Sequence, residues 1–248
     1  MLPNEAQLQY LTKHLFPQKL RKHSSELVLK MIVYVLMSGC SWRNLPENSP
    51  PRSTLFYHFK RINDDGQLSK LLLELTKAAR RQNRRSTIPT VAIIDSQTVS
   101  TKHAKHYWGY DGGKKRKGRK RHFATDSDGN LLMQIITPAN MHDSKAAPTL
   151  VEFLMELYPD IKIVYADAAY RGHFVNWSEQ EYGLTVEITQ REGGGGFKLE
   201  PFRWVCERTF AWMTHARRLV VDYEKSLNSS FLWIMLRMVQ LLTQRLIA

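Results

Sequence analysis

The sequence predicts an α/β chain in which a small all-helical unit precedes a mixed-sheet domain, and three observations carry that reading. Up to about residue 85 the apolar side chains recur at helical spacing, at Pro89 the pattern switches to short β-prone runs, and further on helix and strand signals alternate. With 248 residues and 43% hydrophobic content, the chain can bury a sizeable core.

The helical unit is read element by element. Ser24 or Ser25 opens a helix carrying Leu27, Met31, Tyr34 and Val35 at helical spacing. The punctuated stretch SGCSWRNLPENSPPRS follows, Ser53 is placed to cap a helix TLFYHFKRIN, and Asp64-Asp65-Gly66 breaks it before QLSKLLLELTKAARRQN. The last two helices carry Lys60, Arg61, Arg80, Arg81, Arg84 and Arg85, which suit either a solvated surface or contact with DNA.

From Pro89 the run TVAIIDSQTVS reads as a strand, and RHFATDSDGNLLMQIITPA as two strands joined by an Asp-Gly turn that holds Asp126 and Asp128. Next come a helix DSKAAPTLVEFLMELYP with Asp143 or Ser144 as its N-cap, a strand IKIVYADAAY, a helix RGHFVNWSEQEYG and a strand LTVEITQ. The remainder is helical, and FLWIMLRMVQLLTQRLIA, interrupted by Arg237 and Arg245, reads as a packed terminal helix. The expected domains are a helical one over 1–85 and a mixed-sheet one over 86–248 that includes the C-terminal helices; Gly193 to Gly196 read as a loop.

Charge narrows the function. Thirty-six Lys+Arg against 23 Asp+Glu give a formal charge of +13, so a polyanion is the expected partner, nucleic acid ahead of membrane. Only Cys40 and Cys206 are present, without a CxxC pair, which argues against a disulfide scaffold or a thiolate zinc site and fits a reducing cytoplasm. The start MLPNEAQLQY lacks the regions of a signal peptide, and no apolar run reaches the roughly 18 residues of a membrane span.

Two strands end in an acid after an apolar run, VAIID at Asp95 and IVYAD at Asp167. One such acid reads as a strand-end cap. Two of them, at strand ends where ligands of open α/β sheets gather, would repel one another unless a cation lay between them. A third acid, Glu207, stands in RWVCERTFAWMTHARRL. Helical geometry puts Val205, Thr209, Trp212, Ala216 and Leu219 on one face and Arg203, Glu207, Phe210, Thr214 and Arg218 on the opposite one. Glu207 is then either an ion-pair partner of Arg203 or a ligand to a metal.

Three hard oxygen donors suit Mg²⁺ or Mn²⁺ better than zinc, and two such ions about 3.5–4 Å apart can act on a phosphodiester. The basic run 114–121, read as a loop, supplies Lys114, Lys115, Arg116, Lys117, Arg119, Lys120 and Arg121 for phosphate contact without sequence preference. His103, His106 and His122 sit among these cations and read as phosphate contacts or solvated groups, while Tyr107, Trp108 and Tyr110 are candidates for stacking on unpaired bases.

The segments IIDSQTVS, GYDGGKKRKGRKRHFATDSDGNLL, YADAAYRG and RWVCERTFAWMTHARRLVVDYE, in this order, closely resemble bacterial insertion-sequence transposases of the DDE type in the IS-four/IS-five superfamily. SGCSWRNLP followed by STLFYHFKRI resembles the helical domain that precedes the catalytic core in that group, so the likeness covers about residues 25 to 225. The resemblance implies an RNase H-like core in which Asp95, Asp167 and Glu207 are the metal-binding triad and Mg²⁺ or Mn²⁺ the cofactor. It also implies cleavage of double-stranded DNA at terminal inverted repeats and joining of the freed 3′-hydroxyl to target DNA. Arg203 matches the arginine four residues before the family's glutamate; Glu200 stands where the family has a tyrosine and Thr214 where it has a basic residue, for which Arg217 or Arg218 could substitute. A homodimer or higher homo-oligomer is expected because two DNA ends must be handled, in the bacterial cytoplasm at the nucleoid. The other readings are an RNase H-like nuclease or resolvase without strand transfer, and a transposase-derived DNA-binding protein that no longer cuts.

Overall fold

The computed structural model describes residues 2–18, 20–102, 106–189 and 203–247, with the Arg203 side chain outside that set. The elements run α1 (Glu5–Leu15), α2 (Ser25–Ser38), α3 (Arg52–Arg61), α4 (Gln67–Gln82), β1 (Val91–Ser100), β2 (Gly109–Asp111), β3 (Arg116–Thr125) and β4 (Leu131–Pro138). They continue with α5 (Asp143–Leu157), β5 (Ile163–Ala166), α6 (His173–Tyr182), β6 (Thr185–Ile188), α7 (Arg203–Thr214), α8 (Arg217–Val220) and α9 (Leu227–Leu246). The expected loop Gly193 to Gly196 lies outside the described residues.

The chain forms two compact units, one of Met1–Arg85 with Met213–Ala248 and one of Ser86–Trp212. The sequence boundary at residue 85 is close to this division, but residues 213–248 join the helical unit instead of the sheet domain. The reason is packing. Helix α9 buries nearly every residue from Leu232 to Thr243, and α4 offers Leu68, Leu71, Leu72, Leu75 and Ala79 as its facing stripe. Trp233 of α9 is buried and stacks on Phe59 of α3 at 4.0 Å, with Trp42 at 5.6 Å on the connection between α2 and α3.

Capping explains where these helices begin. Helix α1, which the apolar pattern did not reveal, starts with a capping box in which Asn4 and Gln7 bond to each other's backbone N–H. Ser24 caps α2 as expected, whereas α3 has Pro51 at its N-cap and no side-chain cap, so Ser53 lies inside its first turn.

Arg218 is buried in this unit. Its Nε donates to Glu224 Oε1 at 3.0 Å and its Nη1 to the Cys40 carbonyl at 3.2 Å, which makes it a structural cation and not the exposed DNA contact the sequence suggested. Arg217 beside it is exposed. Arg80 is likewise buried, while Arg61, Arg81, Arg84 and Arg85 are exposed.

The second unit is a mixed sheet with strand order β2-β3-β1-β5-β6 and β4 also paired to β3. β1, β3 and β4 form an antiparallel meander, and β5 and β6 add in parallel on the other side of β1. Helix α5 packs on β3 and β4 and against α6, completing the α/β layering. His142, not Asp143 or Ser144, is the N-cap of α5; its Nδ1 accepts from the Ser144 N–H. Asp143 in the first turn points at the sheet instead, 3.0 Å from Lys120 Nζ and accepting from Ser96 Oγ at 2.9 Å.

The basic run 114–121 is a loop only in part, because Arg116 onward belongs to β3. Arg119, Lys120 and Arg121 are buried, which removes them from the expected DNA-contacting set; Lys114, Lys115, Arg116 and Lys117 are exposed. Gly118 interrupts the run because a Cβ there would lie 1.8 Å from the Val99 carbonyl oxygen.

Two outcomes follow from these buried charges. Glu224→Ala strands the Arg218 guanidinium and should lower unfolding free energy by roughly 3–5 kcal/mol in urea titration; an unchanged midpoint would contradict a structural role for the pair. His122 is held neutral in the sheet, its ring pushed down to about 4 by burial, with Lys120 and Lys114 adding to the shift and Asp143 opposing it. The unfolded chain therefore takes up the proton first as pH falls below about 6.5, and stability should drop by roughly 3 kcal/mol on the way to pH 4. His122→Gln should flatten that part of the stability–pH curve.

Candidate active site

The parallel pairing of β1 with β5 sets Ile93 opposite Tyr165, so two residues further on Asp95 and Asp167 come to the same level, Asp167 just past the end of β5 and Asp95 in the middle of β1, which runs on to Ser100 instead of ending at the acid as the sequence suggested. Both are half-buried and line one narrow cleft with Ile94, Ala166 and Thr189. The cleft measures about 10 Å³, room for a single water-sized particle. Local bonds fix each acid: Asp95 Oδ1 accepts from the Ser96 N–H at 2.7 Å, and Asp167 Oδ1 from the Ala169 N–H at 2.9 Å, capping a single 3₁₀ turn Ala168–Tyr170. Behind them the Tyr170 hydroxyl is fully buried and has no hydrogen-bond partner among the described residues. Burial, reinforced by Asp95, Asp143 and Asp167, pushes its phenol well above the ordinary value and keeps it protonated.

Glu207 reaches this region on α7. The Cys206 thiol donates to the Ile93 carbonyl at 3.4 Å and shares a hydrogen bond with Thr125 Oγ1 at 3.3 Å, seating the helix on β1 and β3 two residues before Asp95. Burial first, then Asp95, drives that thiol's pKa far up, with Glu207 adding to the effect, so it is a packing group and not a nucleophile. Glu207 itself is exposed and is not part of the Asp95–Asp167 cleft lining.

Helix α7 is clamped by the β3–β4 turn, a feature the sequence reading missed. Arg208 Nη2 donates to the Asp128 carbonyl at 2.8 Å, and Thr209 Oγ1 donates to Gly129 O at 2.9 Å. The guanidinium lies between Trp204 and Trp212, 4.3 and 4.6 Å from their centroids. Gly129, at φ +82°, admits this contact because a Cβ would fall 2.7 Å from Thr209 Oγ1. The signal in the sequence was the spacing Trp204, Arg208, Trp212, one helical turn apart each time. Phe210, expected opposite the apolar stripe, is buried against Phe123 at 4.9 Å, so the buried face is Val205, Cys206, Thr209, Phe210 and Met213.

The donor chemistry, three carboxylates without a sulfur or imidazole cluster, suits a hard divalent cation. Asp95 and Asp167 line one cleft. Among the described residues no group of three metal-capable side chains is assembled, so Glu207 is a candidate third ligand by chemistry and by the seat of its helix. The sequence-predicted contacts fall into two sets: Lys114, Lys115, Arg116 and Lys117 are exposed around the β2–β3 turn, and Lys114 Nζ donates to the Ser96 carbonyl at 3.4 Å, next to Asp95. Arg119, Lys120 and Arg121 are framework, and the Arg203 side chain and His103 lie outside the described residues.

Comparison with known proteins gives the family. A family model described as Transposase DDE domain matches residues 86–242, and one described as a putative transposase of the IS4/5 family matches residues 5–72. A putative transposase for insertion sequence element IS402 of Burkholderia cepacia is 32% identical over 117 residues, 44% of this chain and 56% of that protein. The transposase for insertion sequence element IS1106 of Neisseria meningitidis serogroup B is 33% identical over 93 residues, 38% of this chain and 31% of that protein. The matched stretches thus span little more than half of one curated relative and under a third of the other. Among solved structures, the catalytic domain of Mos1 mariner transposase aligns with TM-score 0.38 and 14% identity over 72% of this chain and 89% of that one. The Mos1 strand transfer complex aligns with TM-score 0.36 and 13% identity over 99% and 96%. With residues 86–242 of its 248 matched by the Transposase DDE domain, this chain belongs to the DDE transposase family, of IS4/5 type.

Proposed function

We propose that this chain is a DNA transposase that cleaves DNA at insertion-sequence ends and transfers the freed 3′-hydroxyl into target DNA. The observation that carries the reading is that Asp95, where β5 stops pairing with β1, and Asp167, just past the end of β5, come level in one cleft within the matched transposase domain. Asp95, Asp167 and Glu207 hold a divalent cation, Mg²⁺ or Mn²⁺, which when bound supplies Lewis-acid activation of a phosphodiester. The residues do the positioning. Asp95 and Asp167 are fixed by their backbone N–H bonds, and the clamp on α7 fixes the helix that carries Glu207. Lys114, Lys115, Arg116, Lys117 and Arg217 neutralise DNA phosphates, with Arg203 assigned the same role by the resemblance alone.

The helical unit is the expected end-binding part. An open groove of about 560 Å³ there is lined by Arg21, Lys22, His23, Tyr57, His58 and Arg61, a cationic surface suited to a phosphate backbone. Double-stranded DNA, both terminal inverted repeats and target, is the partner, and a homodimer or higher assembly would let two ends be held together. No described helix is long and apolar enough to cross a membrane, and a cytoplasmic, nucleoid-associated location goes with the DNA substrate.

The test is a gel assay of the purified protein with labelled element-end DNA and a target plasmid, run with Mg²⁺, with Mn²⁺ and with EDTA. Cleaved and joined products are expected only with metal, and Asp95→Asn, Asp167→Asn and Glu207→Gln should each cut the rate at least about a hundredfold. Cleavage without joining would instead favour a nuclease or resolvase, and binding without reaction in any lane a DNA-binding protein. Gly129→Ala should loosen the α7 clamp, raising the metal concentration needed for half-maximal cleavage; a variant with wild-type metal dependence would show that the clamp does not serve Glu207.

A further inference from the structure

We propose that Tyr107, Trp108 and Tyr110, in and just before β2 of the β2–β3 hairpin, bind unpaired DNA bases on the way to the carboxylate site. The inference rests on the DNA-processing reading above and adds the strand state that the site accepts. Soluble proteins seldom leave large aromatics in one exposed cluster without a use for them. Here Tyr107 is 64% exposed, Trp108 42% and Tyr110 57%, all within four residues.

Cations are interleaved with these rings. Lys117 Nζ sits 3.8 Å from the Trp108 centroid, and Lys117 is the cross-strand partner of Tyr110. Exposed Lys114, Lys115 and Arg116 continue the basic surface around the turn. Rings that can stack on bases, alternating with ammonium groups that can meet phosphates, match a single strand, in which both bases and backbone are reachable. A paired duplex hides its base faces, so it can use the cations but not the rings.

The segment is held in place. Tyr107 adopts φ +58°, an uncommon conformation for a tyrosine, and its carbonyl accepts from Nε of the buried Arg119 at 3.2 Å. Gly109 packs so closely that a Cβ would fall 1.9 Å from Asn140 Oδ1, and Thr98 Oγ1 donates to Asp111 Oδ2 at 2.6 Å. A stacking platform fixed before the ligand arrives loses less entropy on binding. The hairpin also adjoins the site, since Lys114 Nζ reaches the carbonyl of Ser96, the residue after Asp95. Through Gly118, Gly109 lies level with Ser100, five residues along β1 from Asp95, so one unpaired strand could run past the rings and reach the carboxylates.

The experiment measures fluorescence anisotropy of labelled oligo-dT and of a duplex of equal length with the full chain in EDTA, where no cleavage intervenes. Trp108→Ala and Tyr110→Ala should each weaken oligo-dT binding about tenfold to a hundredfold and change duplex binding less than about threefold. Trp108→Phe and Tyr110→Phe should restore oligo-dT binding, which separates stacking from a folding defect. Alanine variants that bind oligo-dT like wild type would overturn the proposal, as would equal losses on both probes or failure of the phenylalanine variants to rescue. Because the triad is silent in EDTA, these results stand apart from the transposase reading. That reading fails instead if metal-dependent cleavage is absent while oligo-dT binding is intact.

Discussion

The parallel register of β1 and β5 is the constraint on which the rest of the site depends. Backbone hydrogen bonding alone brings Ile93 level with Tyr165, and the pleat carries Asp95 and Asp167 to one cleft from positions far apart in the chain. A slip of one residue would turn one carboxylate to the other face of the sheet. The apolar residues around the acids guard against it: Ala92, Ile93, Ile94, Val164 and Ala166 are buried, and a slipped strand would expose half of them. The third acid has no strand to hold it. Its position depends on the docking of α7, through Cys206 on β1 and β3 and through Arg208 and Thr209 on the β3–β4 turn.

Charge in this protein is divided between framework and surface. Arg119, Lys120, Arg121 and Arg218 are buried, bonded to Tyr107 O, Asp143 or Glu224 where those bonds are seen, and contribute shape. Lys114, Lys115, Arg116 and Lys117 remain in solvent, where a positive field can draw in a polyanion. The basic surface is thereby concentrated near the hairpin turn beside Asp95, and the Lys114 bond to Ser96 O ties it to the strand that bears the acid.

Much of this was legible in the sequence, for identifiable reasons. The apolar runs that lead into Asp95 and Asp167 are strand signals and the Asp126–Gly129 turn is a strong hairpin signal, so the meander and the mixed sheet could be read directly, although β1 continues past Asp95 to Ser100. Helical spacing with a serine start placed α2, the Asp64-Asp65-Gly66 break placed α4, and an apolar run interrupted by Arg237 and Arg245 placed α9. What escaped was tertiary. Helix α1 depends on its capping box more than on its apolar stripe, and α9 joins the N-terminal helices because α4 needs its apolar face covered, a choice no local pattern records. The basic run looked like a loop because Lys and Arg are weak strand formers, yet pairing with β1, β2 and β4 puts residues 116–121 into a strand and buries the consecutive Arg119, Lys120 and Arg121. The faces of α7 were misjudged at Phe210, since the buried arc centres on Cys206 and Thr209.

The central claim is that three carboxylates from two strands and one helix act as one cation site. Titration of Mn²⁺ into the protein, followed by the loss of its free electron paramagnetic resonance signal, measures this directly and without DNA. Wild type should bind Mn²⁺, and Asp95→Asn, Asp167→Asn and Glu207→Gln should each weaken binding about tenfold or more, with unchanged thermal unfolding in the absence of metal. Binding that survives Glu207→Gln intact, or a wild-type protein that takes up no Mn²⁺ at all, would contradict it.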